Sequence, residues 1–396
     1  MYTDTTTWWY KRSIGDIKQK NVETNGVALN YKSVALIVGV TGIAGSGLAE
    51  TLSMSDTPGG PWKVYGVARR PCPEWLAKLH VSYIQCDIGS TDDTSAKLSP
   101  LSDITHIFYV SWTGSEDCDK NAIMFKNILD SVIPNAPNLK HISLQTGIKH
   151  YWGNMVDEMD ITNVSHDCPF NEYMPRLRQP NFYSNLEDLL YEACRTQNGA
   201  LTWTVHRPAL IFGFSPCSLM NIVATLSVYA AICKYENKPL VYTGTQTSWN
   251  CLVDAVDSDL LSEHLVWGAI SPNAKNQAFN INNGDVFKWK HIWKVLAEQL
   301  QLEIEFVGYE GKEPVSLEGL MKDKDSVWDE MVEKYDLVPT KLRDIAAFWF
   351  ADVAFSIEGA VSSMNKNKEF GFMGFRDSTK SFISSVNKVR SYRFVP

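Results

Sequence analysis

A tyrosine near the middle of the chain could act on a polar oxygen of a substrate. Tyr183 stands in the stretch NFYSNLED, which predicts the first turns of a helix. A phenol with an ordinary pKa of about 10 needs a neighbouring cation to exchange protons near neutral pH. The residue one helical turn later is Glu187, so the helix does not supply that cation. We interpret Glu187 and Asp188 as ordinary acids near a helix start, where the dipole favours them.

A cation for Tyr183 can come from the end of a strand instead. The stretch KHISLQTG, residues 140–147, predicts a strand, and Ile148 and Lys149 follow it directly. In an open parallel sheet the strand ends face the ligand. We therefore expect Lys149 to support Tyr183 electrostatically. A surface lysine and an aromatic packed on the sheet are the alternatives that spacing alone leaves open.

Glycines recur at every third position after another apolar run. Residues 34–40 predict a buried strand, and Gly39, Gly42 and Gly45 follow in the order GVTGIAG. We assign Gly39 to a tight turn, Gly42 to close approach of a pyrophosphate, and Gly45 to helix–sheet packing. The free N–H groups and the dipole of the following helix would hold the phosphates. The pattern predicts a dinucleotide site, with a purely structural turn as the alternative.

Charged residues end the next two predicted strands. Arg69 and Arg70 follow the strand over 62–68, where an NAD site would carry an acid for the ribose hydroxyls. Two guanidinium groups suit a 2′-phosphate, so we predict NADPH, with a solvated surface pair as the alternative. Asp87 ends the strand over 81–87. We assign it to the adenine amino group, or else to the N-cap of the next helix.

Strand and helix patterns alternate through the first half of the chain. Strands are predicted at 34–40, 62–68, 81–87, 105–112, 140–147 and 201–213, with helices near 45–53 and 119–134. This rhythm predicts an α/β fold with a Rossmann-type doubly wound parallel sheet. The second half is less regular and predicts a smaller, mainly helical C-terminal cap over the carboxyl edge of the sheet. Its predicted elements are helices at 216–235, 289–300 and 325–355 and a strand and turn at 278–285.

Three segments are expected from this pattern. They are a polar N-terminal tail of residues 1–30, a dinucleotide-binding domain of 31–214 with 240–285, and a substrate-binding cap of 215–239 with 286–396. The most apolar late segment, 345–355, contains Asp352 and is too short for a membrane span, so we predict a core helix there.

Composition argues against several classes of protein. The 396 residues carry a formal net charge of −8, which disfavours nucleic acid or an anionic membrane as the main partner. Eight cysteines lie scattered without a CxxC pair or metal-ligand spacing. We predict reduced thiols, no metal site and a cytoplasmic protein. The N-terminal stretch has no apolar run of the kind found in a signal peptide.

Several long and uncommon stretches carry a resemblance to a known family. They are VGVTGIAGSGLAE (38–50), VYGVARRPCPEWL (64–76), FYVSWTGSEDC (108–118), TGIKHY (146–151), MPRL with NFY and LED (174–188), HRPALIFGFSPCS (206–218), SWN (248–250) and KDKDSVWDEMVEK (322–334). Together they resemble the plant progesterone 5β-reductase and iridoid synthase family over roughly residues 8–396, and its iridoid synthase members in particular. That family consists of extended short-chain dehydrogenase/reductases.

The resemblance implies an enzyme that uses NADPH to reduce the activated C=C bond of an enal or enone. It implies 8-oxogeranial as the substrate and an enol that closes to nepetalactol and related iridodials. It carries the catalytic pair, which departs from the usual YxxxK arrangement, onto Tyr183 and Lys149. It also suggests a homodimer. Two alternatives stay open: a broad enone reductase that accepts steroids such as progesterone, and a non-catalytic NADPH-binding protein.

Motifs and resemblance together assign a wider site. The predicted cofactor residues include the glycines, the arginines, Asp87, Lys149 and Tyr183 discussed above. The others are Thr41, Ile43, Ile88, Ser111, Thr146, Pro208, Ala209, Ile211, Ser215 and Met220. The predicted substrate residues, in an apolar pocket, are Trp112, Ile148, Lys149, Tyr183, Met220 and Phe350. The chain departs from many relatives at Ser184, where an aromatic is common, and in the loop 152–172. His206 is interpreted as a satisfied strand histidine.

Overall fold

A computed structural model describes residues 5–15, 30–152, 166–216, 218–306 and 315–396. The strands are β1 Ser33–Val38, β2 Trp62–Ala68, β3 Val81–Gln85, β4 His106–Tyr109, β5 His141–Gln145, β6 Thr202–Pro208, β7 Leu210–Phe212, β8 Leu240–Tyr242, β9 Ala255–Asp257, β10 Gln277–Ile281 and β11 Ile304–Phe306. The helices are α1 Thr5–Ser13, α2 Ile43–Leu52, α3 Glu74–Ala77, α4 Thr91–Leu98, α5 Cys118–Val132, α6 Lys149–Trp152, α7 Phe182–Arg195, α8 Ile222–Tyr235, α9 Gln246–Asn250, α10 Ser258–Ile270, α11 Trp289–Leu300, α12 Leu317–Met321, α13 Asp325–Lys334, α14 Leu342–Ile345, α15 Phe348–Ser356, α16 Asn365–Glu369 and α17 Ser378–Ser391. A short 3₁₀ helix spans Pro272–Ala274.

One parallel sheet organises the described part of the first half of the chain together with β10 from the second half. Its seven strands run in the order β10–β6–β5–β4–β1–β2–β3, and every neighbouring pair is parallel. The order reverses between β1 and β4, and in such sheets ligands bind at the carboxyl ends beside that reversal. Strand β1 is buried along its whole length, as expected for a strand covered on both faces. The predicted doubly wound α/β fold is confirmed.

The chain forms two compact units. The first comprises Met1–Ala209, Asp259–Ile281 and Ser362–Phe375 and contains the large sheet. The second comprises Leu210–Ser258, Asn282–Val361 and Arg376–Pro396, and holds two parallel strand pairs, β7 with β9 and β8 with β11. None of the helices within the described ranges is long and apolar enough to cross a membrane.

Near Pro208, the division into two units differs from the segments that the sequence predicts. The run 201–213, expected as one strand, splits into β6 and β7 at Pro208. Proline has no N–H to donate to a ladder, and strands commonly end or bend there. Beyond it, Leu210–Phe212 pairs with Ala255–Asp257 in the second unit. Residues 240–258 therefore belong to the second unit and not to the sheet domain.

The N-terminal segment contains a helix that the polar composition of residues 1–30 did not predict. Helix α1 places Trp9 in the core of the first unit with no exposed surface, 5.9 Å from the ring of Phe372. Arg12 Nε lies 3.1 Å from Oε1 of the buried Glu263. Most of this packing comes from two tryptophans. Two apolar residues are too few to give a recognisable amphipathic period in the sequence.

Buried histidines line one part of the first unit. His141 Nδ1 and Nε2 each lie 2.9 Å from a threonine hydroxyl, those of Thr202 and Thr204. His206 Nδ1 lies 2.9 Å from His264 Nδ1, in line with its interpretation as a satisfied strand histidine. Burial lowers every pKa in this group: those of His106 and His150 to about 4, that of His264 to about 3, and those of His141 and His206 well below 6.5.

We expect the thermal midpoint of unfolding to fall steeply as the pH drops from 7 to 5. Below pH 6.5 these histidines bind protons in the unfolded chain but stay neutral in the folded chain. Free energy of unfolding that is present above pH 6.5 is therefore lost as the pH falls. Each such histidine changes the free energy of unfolding by about 1.4 kcal/mol per pH unit in that window. Circular dichroism melts across a pH series measure the slope. His106→Gln should reduce it, whereas replacing the exposed His80 by glutamine should not. A flat profile would contradict this expectation.

Candidate active site

The glycine turn after β1 has no room for side chains at two positions. Gly39 adopts φ +98°, and a Cβ there would lie 2.9 Å from the carbonyl oxygen of Val110. At Gly45 a Cβ would lie 2.2 Å from the carbonyl oxygen of Gly39, so helix α2 packs directly on the turn. A close approach of helix α2 was predicted at Gly45. The helix approaches the glycine turn there, and not the face of the sheet. Both positions therefore require glycine.

The start of α2 is arranged to receive an anion. Gly42 precedes the helix and donates its N–H to Gly39 O at 3.0 Å, so this N–H holds the turn closed. The Ser46 N–H donates to Gly42 O at 2.8 Å, and the N–H groups before it lie at the helix N-terminus, where a helix offers no carbonyl partners four residues back. Thr41 is half-buried and Ile43 is buried beside them. A pyrophosphate fits this turn and helix end.

The arginine pair after β2 lies on a loop that is tied to the next strand. Arg69 and Arg70 are exposed. Their carbonyl oxygens accept hydrogen bonds from Gln85 Nε2 at 3.2 Å and from the Tyr83 hydroxyl at 2.5 Å. The backbone is thus held at the strand end, and two cationic side chains stand where a 2′-phosphate is expected.

Asp87 follows β3 and is exposed. Its Oδ1 accepts the N–H of Gly89 at 3.0 Å. The N-cap of α4 is Ser90, whose hydroxyl accepts the N–H of Asp93 at 3.3 Å. The alternative in which Asp87 caps that helix is therefore excluded. The neighbouring Ile88 is buried.

Tyr183 and Lys149 reach the same corner at the carboxyl end of β5. The N-cap of α7, Asn181, accepts the N–H of Tyr183 at 2.9 Å and donates through Nδ2 to the carbonyl oxygen of Lys149 at 3.3 Å. A Cβ at Gly147 would lie 3.0 Å from the Tyr183 hydroxyl oxygen, so the phenol rests on the strand end. Lys149 Nζ lies 5.7 Å from the centroid of the Phe182 ring. One asparagine therefore couples the backbones of the two predicted catalytic residues.

The electrostatics of this corner differ from the simple picture of a lysine that lowers the pKa of a tyrosine. Burial raises the pKa of Tyr183, and the carboxylate of Glu116 raises it further. Lys149 Nζ forms an ion pair with Oε1 of Glu116. Tyr183 is consequently protonated at neutral pH and can donate a hydrogen bond. Glu116 was not predicted from the sequence, where it is simply an acid in SEDC shortly after the fourth strand.

Glu187 does not play the ordinary role expected for an acid near a helix start. Its side chain is 1% exposed and lies one helical turn after Tyr183, where a YxxxK motif has its lysine. Its Oε1 lies 3.1 Å from Arg207 Nη2 and its Oε2 lies 2.8 Å from Arg176 Nη2. Burial alone would raise the pKa of Glu187, but the nearby positive charges, led by Arg207, outweigh it and lower the pKa.

This ion-pair cluster explains why the position suits an anion. A lysine at residue 187 would leave Arg207 without its carboxylate partner and would add a third positive charge beside Arg207 and Arg176. Lys149 of the candidate pair is followed by His150, whose Nδ1 lies 3.9 Å from Glu187. The cluster therefore connects helix α7, strand β6 and the short helix α6, which carries Lys149 and His150.

The other predicted residues of the first unit lie at strand ends. Ser111 and Trp112 are half-buried after β4, and Trp112 Nε1 donates to Ser115 O at 2.9 Å. The N–H of the buried Thr146 donates to His206 O at 2.8 Å, and that of Ile148 donates to Pro208 O at 3.2 Å. Ala209 N–H donates to Ile281 O at 3.0 Å. These bonds join the ends of β5, β6 and β10.

Four predicted residues belong to the second unit. Ile211 lies in β7, and Ser215 is buried with its carbonyl oxygen accepting from Asn221 Nδ2 at 3.0 Å. Met220 immediately precedes that N-cap of α8, and Phe350 is half-buried in α15. Residues 153–165 of the loop predicted to differ from relatives lie outside the described residues.

Comparison with known proteins gives the same family as the sequence motifs. Residues 79–396 match the PRISE-like Rossmann-fold domain. An (S)-8-oxocitronellyl enol synthase of Antirrhinum majus is 75% identical over 389 residues, covering 98% of this chain and 100% of that protein. The protein of the same name from Catharanthus roseus is 66% identical over 393 residues, with the same coverage. A 3-oxo-Delta(4,5)-steroid 5-beta-reductase of Arabidopsis thaliana is 51% identical over 393 residues, again covering 98% and 100%.

Solved structures show the same fold at greater distance. The UDP-glucose 4-epimerase of Thermus thermophilus, in complex with NAD, has a TM-score of 0.61 and 15% identity, covering 90% of this chain and 99% of that one. At that identity the likeness concerns the fold alone. The family match and the three full-length relatives confirm the resemblance found in the sequence motifs. The chain belongs to the PRISE-like Rossmann-fold family.

Proposed function

We propose that the protein catalyses the NADPH-dependent 1,4-reduction of an activated enal, with 8-oxogeranial as substrate and (S)-8-oxocitronellyl enol as product. The names of the two most similar relatives cited above support this choice of product and of its configuration. The observation that carries the proposal is the position of the Tyr183 hydroxyl against Gly147 beyond the end of β5, with Asn181 linking the Tyr183 N–H to the Lys149 carbonyl oxygen. Reduction of the steroid-type enone is the second candidate, favoured by the reductase of Arabidopsis thaliana.

The residues of the first unit fit a bound NADPH. The turn from Gly39 to Gly45 would hold its pyrophosphate, Arg69 and Arg70 its 2′-phosphate, and Asp87 its adenine. Bound NADPH would supply the hydride that reduces the β-carbon of the enal. The remaining residues proposed to contact the cofactor are Thr41, Ile43, Ile88, Ser111, Thr146, Lys149, Tyr183, Pro208, Ala209, Ile211, Ser215 and Met220.

Tyr183 would act on the oxygen end of the substrate. Its hydroxyl donates a hydrogen bond to the carbonyl oxygen, on which negative charge builds as the β-carbon is reduced. Such a donor contributes about 2.7–4 kcal/mol to transition-state stability. Lys149 adds positive charge at the same corner, and Trp112, Ile148, Met220 and Phe350 are proposed to contact the terpenoid chain. The enolate oxygen would take a proton from solvent, and the released enol would then close to nepetalactol and iridodials.

Replacing Arg69 and Arg70 together by alanine should weaken NADPH binding much more than NADH binding. Each substitution would remove one charge-assisted contact to the 2′-phosphate, and such a contact contributes roughly 1.5–3 kcal/mol to binding. Fluorescence titration of the tryptophans with each nucleotide measures both affinities. Replacing the exposed Lys78, which lies just before β3, is a control for a general loss of positive charge. Equal weakening of both nucleotides would refute the assignment.

Turnover of 8-oxogeranial and progesterone, measured side by side with NADPH, tests the proposed substrate. We expect a kcat/KM for 8-oxogeranial at least about tenfold higher, since an apolar pocket matched to one skeleton discriminates by this order. Chiral chromatography of the product should give the S configuration. A higher kcat/KM for the steroid would favour the second candidate, and no turnover of either compound would favour a non-catalytic NADPH-binding protein.

We also propose that the protein works as a cytoplasmic homodimer. The family resemblance supports the dimer, and the scattered cysteines support a reducing compartment. The described cysteines, Cys72, Cys86, Cys118, Cys168, Cys194, Cys233 and Cys251, are free thiols. Light scattering after size-exclusion chromatography would test the oligomeric state, with a mass of one chain as the contrary result.

A further inference from the structure

Glu116 stands beside both members of the candidate catalytic pair, on the loop between β4 and α5. One of its carboxylate oxygens, Oε1, forms the ion pair with Lys149 Nζ. The other, Oε2, is buried and has no hydrogen-bond partner among the described residues. The Lys149 side chain is 17% exposed and that of Glu116 is 32% exposed, so the pair lies at the edge of the protein interior.

The loop that carries Glu116 is held by a dense set of hydrogen bonds. The buried Asn121 accepts the N–H of Thr113 at 3.2 Å and donates to the carbonyl oxygens of Ser115 at 2.9 Å and Asp117 at 2.8 Å. Asp117 is the N-cap of α5 and accepts the N–H of Lys120 at 3.0 Å. The residues on both sides of Glu116 are therefore fixed by the start of a helix. A carboxylate on such a loop can hold a flexible lysine in one place.

The charge of Glu116 also acts on the phenol. Among the described groups, its carboxylate is the charge that adds to burial in raising the pKa of Tyr183. The Phe182 ring, 5.7 Å from Lys149 Nζ, lies with its centroid 4.4 Å from that of Tyr183. A lysine released from Glu116 would be free to leave this corner, because its long side chain has several rotatable bonds.

We propose that Glu116 is a positioning residue, which holds the Lys149 ammonium at the corner occupied by Tyr183 and acts on the reaction only through that lysine. The inference rests on the proposed function, in which Lys149 and Tyr183 act on the oxygen of the enal. Glu116 itself contacts no reacting atom. It determines where the positive charge of Lys149 is applied as negative charge builds on the substrate.

A double-mutant cycle with Glu116→Ala and Lys149→Met tests this dependence. Glu116→Ala should lower kcat for 8-oxogeranial about tenfold and change its KM less than about twofold, since the loss concerns the transition state. In the Lys149→Met background the same substitution should change kcat less than about twofold, because a residue that acts through another gives a non-additive effect. Glu116→Gln is the matched conservative variant. Its amide oxygen still accepts from the ammonium, so it should recover at least about a third of the wild-type kcat.

Folding and cofactor affinity are measured on the four proteins of the cycle and on Glu116→Gln. The thermal midpoint should stay within a few degrees, because the pair is partly exposed and one of its oxygens is unpaired. Tryptophan fluorescence titration gives the affinity for NADPH without turnover. If Glu116→Ala unfolds, the cycle is run with Glu116→Ser, whose short hydroxyl cannot reach the ammonium and whose loss of kcat must again disappear in the Lys149→Met background.

An equal fold-loss in both backgrounds would overturn the inference, and so would an unchanged kcat in Glu116→Ala. The proposed mechanism is judged separately from Lys149→Met and from Tyr183→Phe. Wild-type turnover in both of those variants would remove the catalytic pair, and this inference with it. Loss of turnover in both, with full activity in Glu116→Ala, would leave the proposed function intact and remove only Glu116.

Discussion

Replacing Tyr183 by phenylalanine should lower kcat for 8-oxogeranial by about 10²–10³-fold, the usual effect of removing one donor to a developing oxyanion. The substitution removes a single hydroxyl and keeps the ring that packs on Gly147. Because burial and Glu116 keep the phenol protonated, wild-type Tyr183 is a donor throughout the neutral range. The phenylalanine variant should therefore lose transition-state stabilisation while its KM changes little.

Tyr191→Phe is a matched control for this experiment. Tyr191 lies on the same helix, α7, and its hydroxyl contacts Glu187 Oε2 at 3.4 Å. Removing that hydroxyl should leave kcat within about threefold of the wild type, because the group lies in the ion-pair cluster and faces no predicted substrate oxygen. NADPH affinity should be unchanged in both variants. A Tyr183→Phe protein as active as Tyr191→Phe would remove Tyr183 from the catalytic role.

Replacing Glu187 by glutamine should reduce the free energy of unfolding by about 3–5 kcal/mol, the usual cost of leaving a buried charge without its partner. Glutamine has nearly the same volume, so the effect reports charge and not packing. The 6%-exposed side chain of Arg207 would then keep its charge without a carboxylate, and its Nε already lacks a hydrogen-bond partner among the described residues.

The neighbouring acid gives a direct comparison. Asp188 also pairs with Arg176, at 2.6 Å, but its side chain is 65% exposed. Asp188→Asn should cost no more than about 1 kcal/mol, as exposed pairs usually do. Urea unfolding followed by tryptophan fluorescence measures both values. Losses of similar size in the two variants would show that Glu187 is not the centre of the cluster.

The charges around residue 187 also explain why a YxxxK arrangement is absent. Residues four apart share a helix face, so residue 187 is the nearest helical neighbour that could support Tyr183. Arg207 from β6 and Arg176 already bring two positive charges to that place. An acid is required there, and the lysine comes from the end of β5 at Lys149. Glu187→Lys should therefore unfold the first unit and not restore a conventional pair.

Local patterns were sufficient for the sheet, the glycine turn and the arginine loop. Buried parallel strands read as apolar runs, and Gly39 and Gly45 stand where any side chain would clash. The same local reasoning placed Lys149 at a strand end. These features depend on residues that are close together in the sequence, and so they can be predicted from one amino-acid sequence.

Other features depend on partners that are distant in sequence. Nothing near Glu187 indicates burial, because Arg176 and Arg207 lie 11 and 20 residues away. Glu116 meets Lys149 across 33 residues, and Trp9 meets Phe372 near the other end of the chain. Such contacts exist only after the fold has formed. The exit of the chain from the large sheet at Pro208 likewise depends on β9, which follows much later.

The most direct test of the proposed chemistry is the fate of the transferred hydride. The wild-type protein is incubated with 8-oxogeranial and NADPH that carries deuterium at its hydride position, and the product is analysed by NMR. We predict that deuterium lies on the β-carbon of the former enal, with S configuration, and that Tyr183→Phe slows its incorporation by the factor given above. Deuterium on the carbonyl carbon would show a 1,2-reduction to an alcohol and would contradict the proposed role of Tyr183 at a distant oxygen.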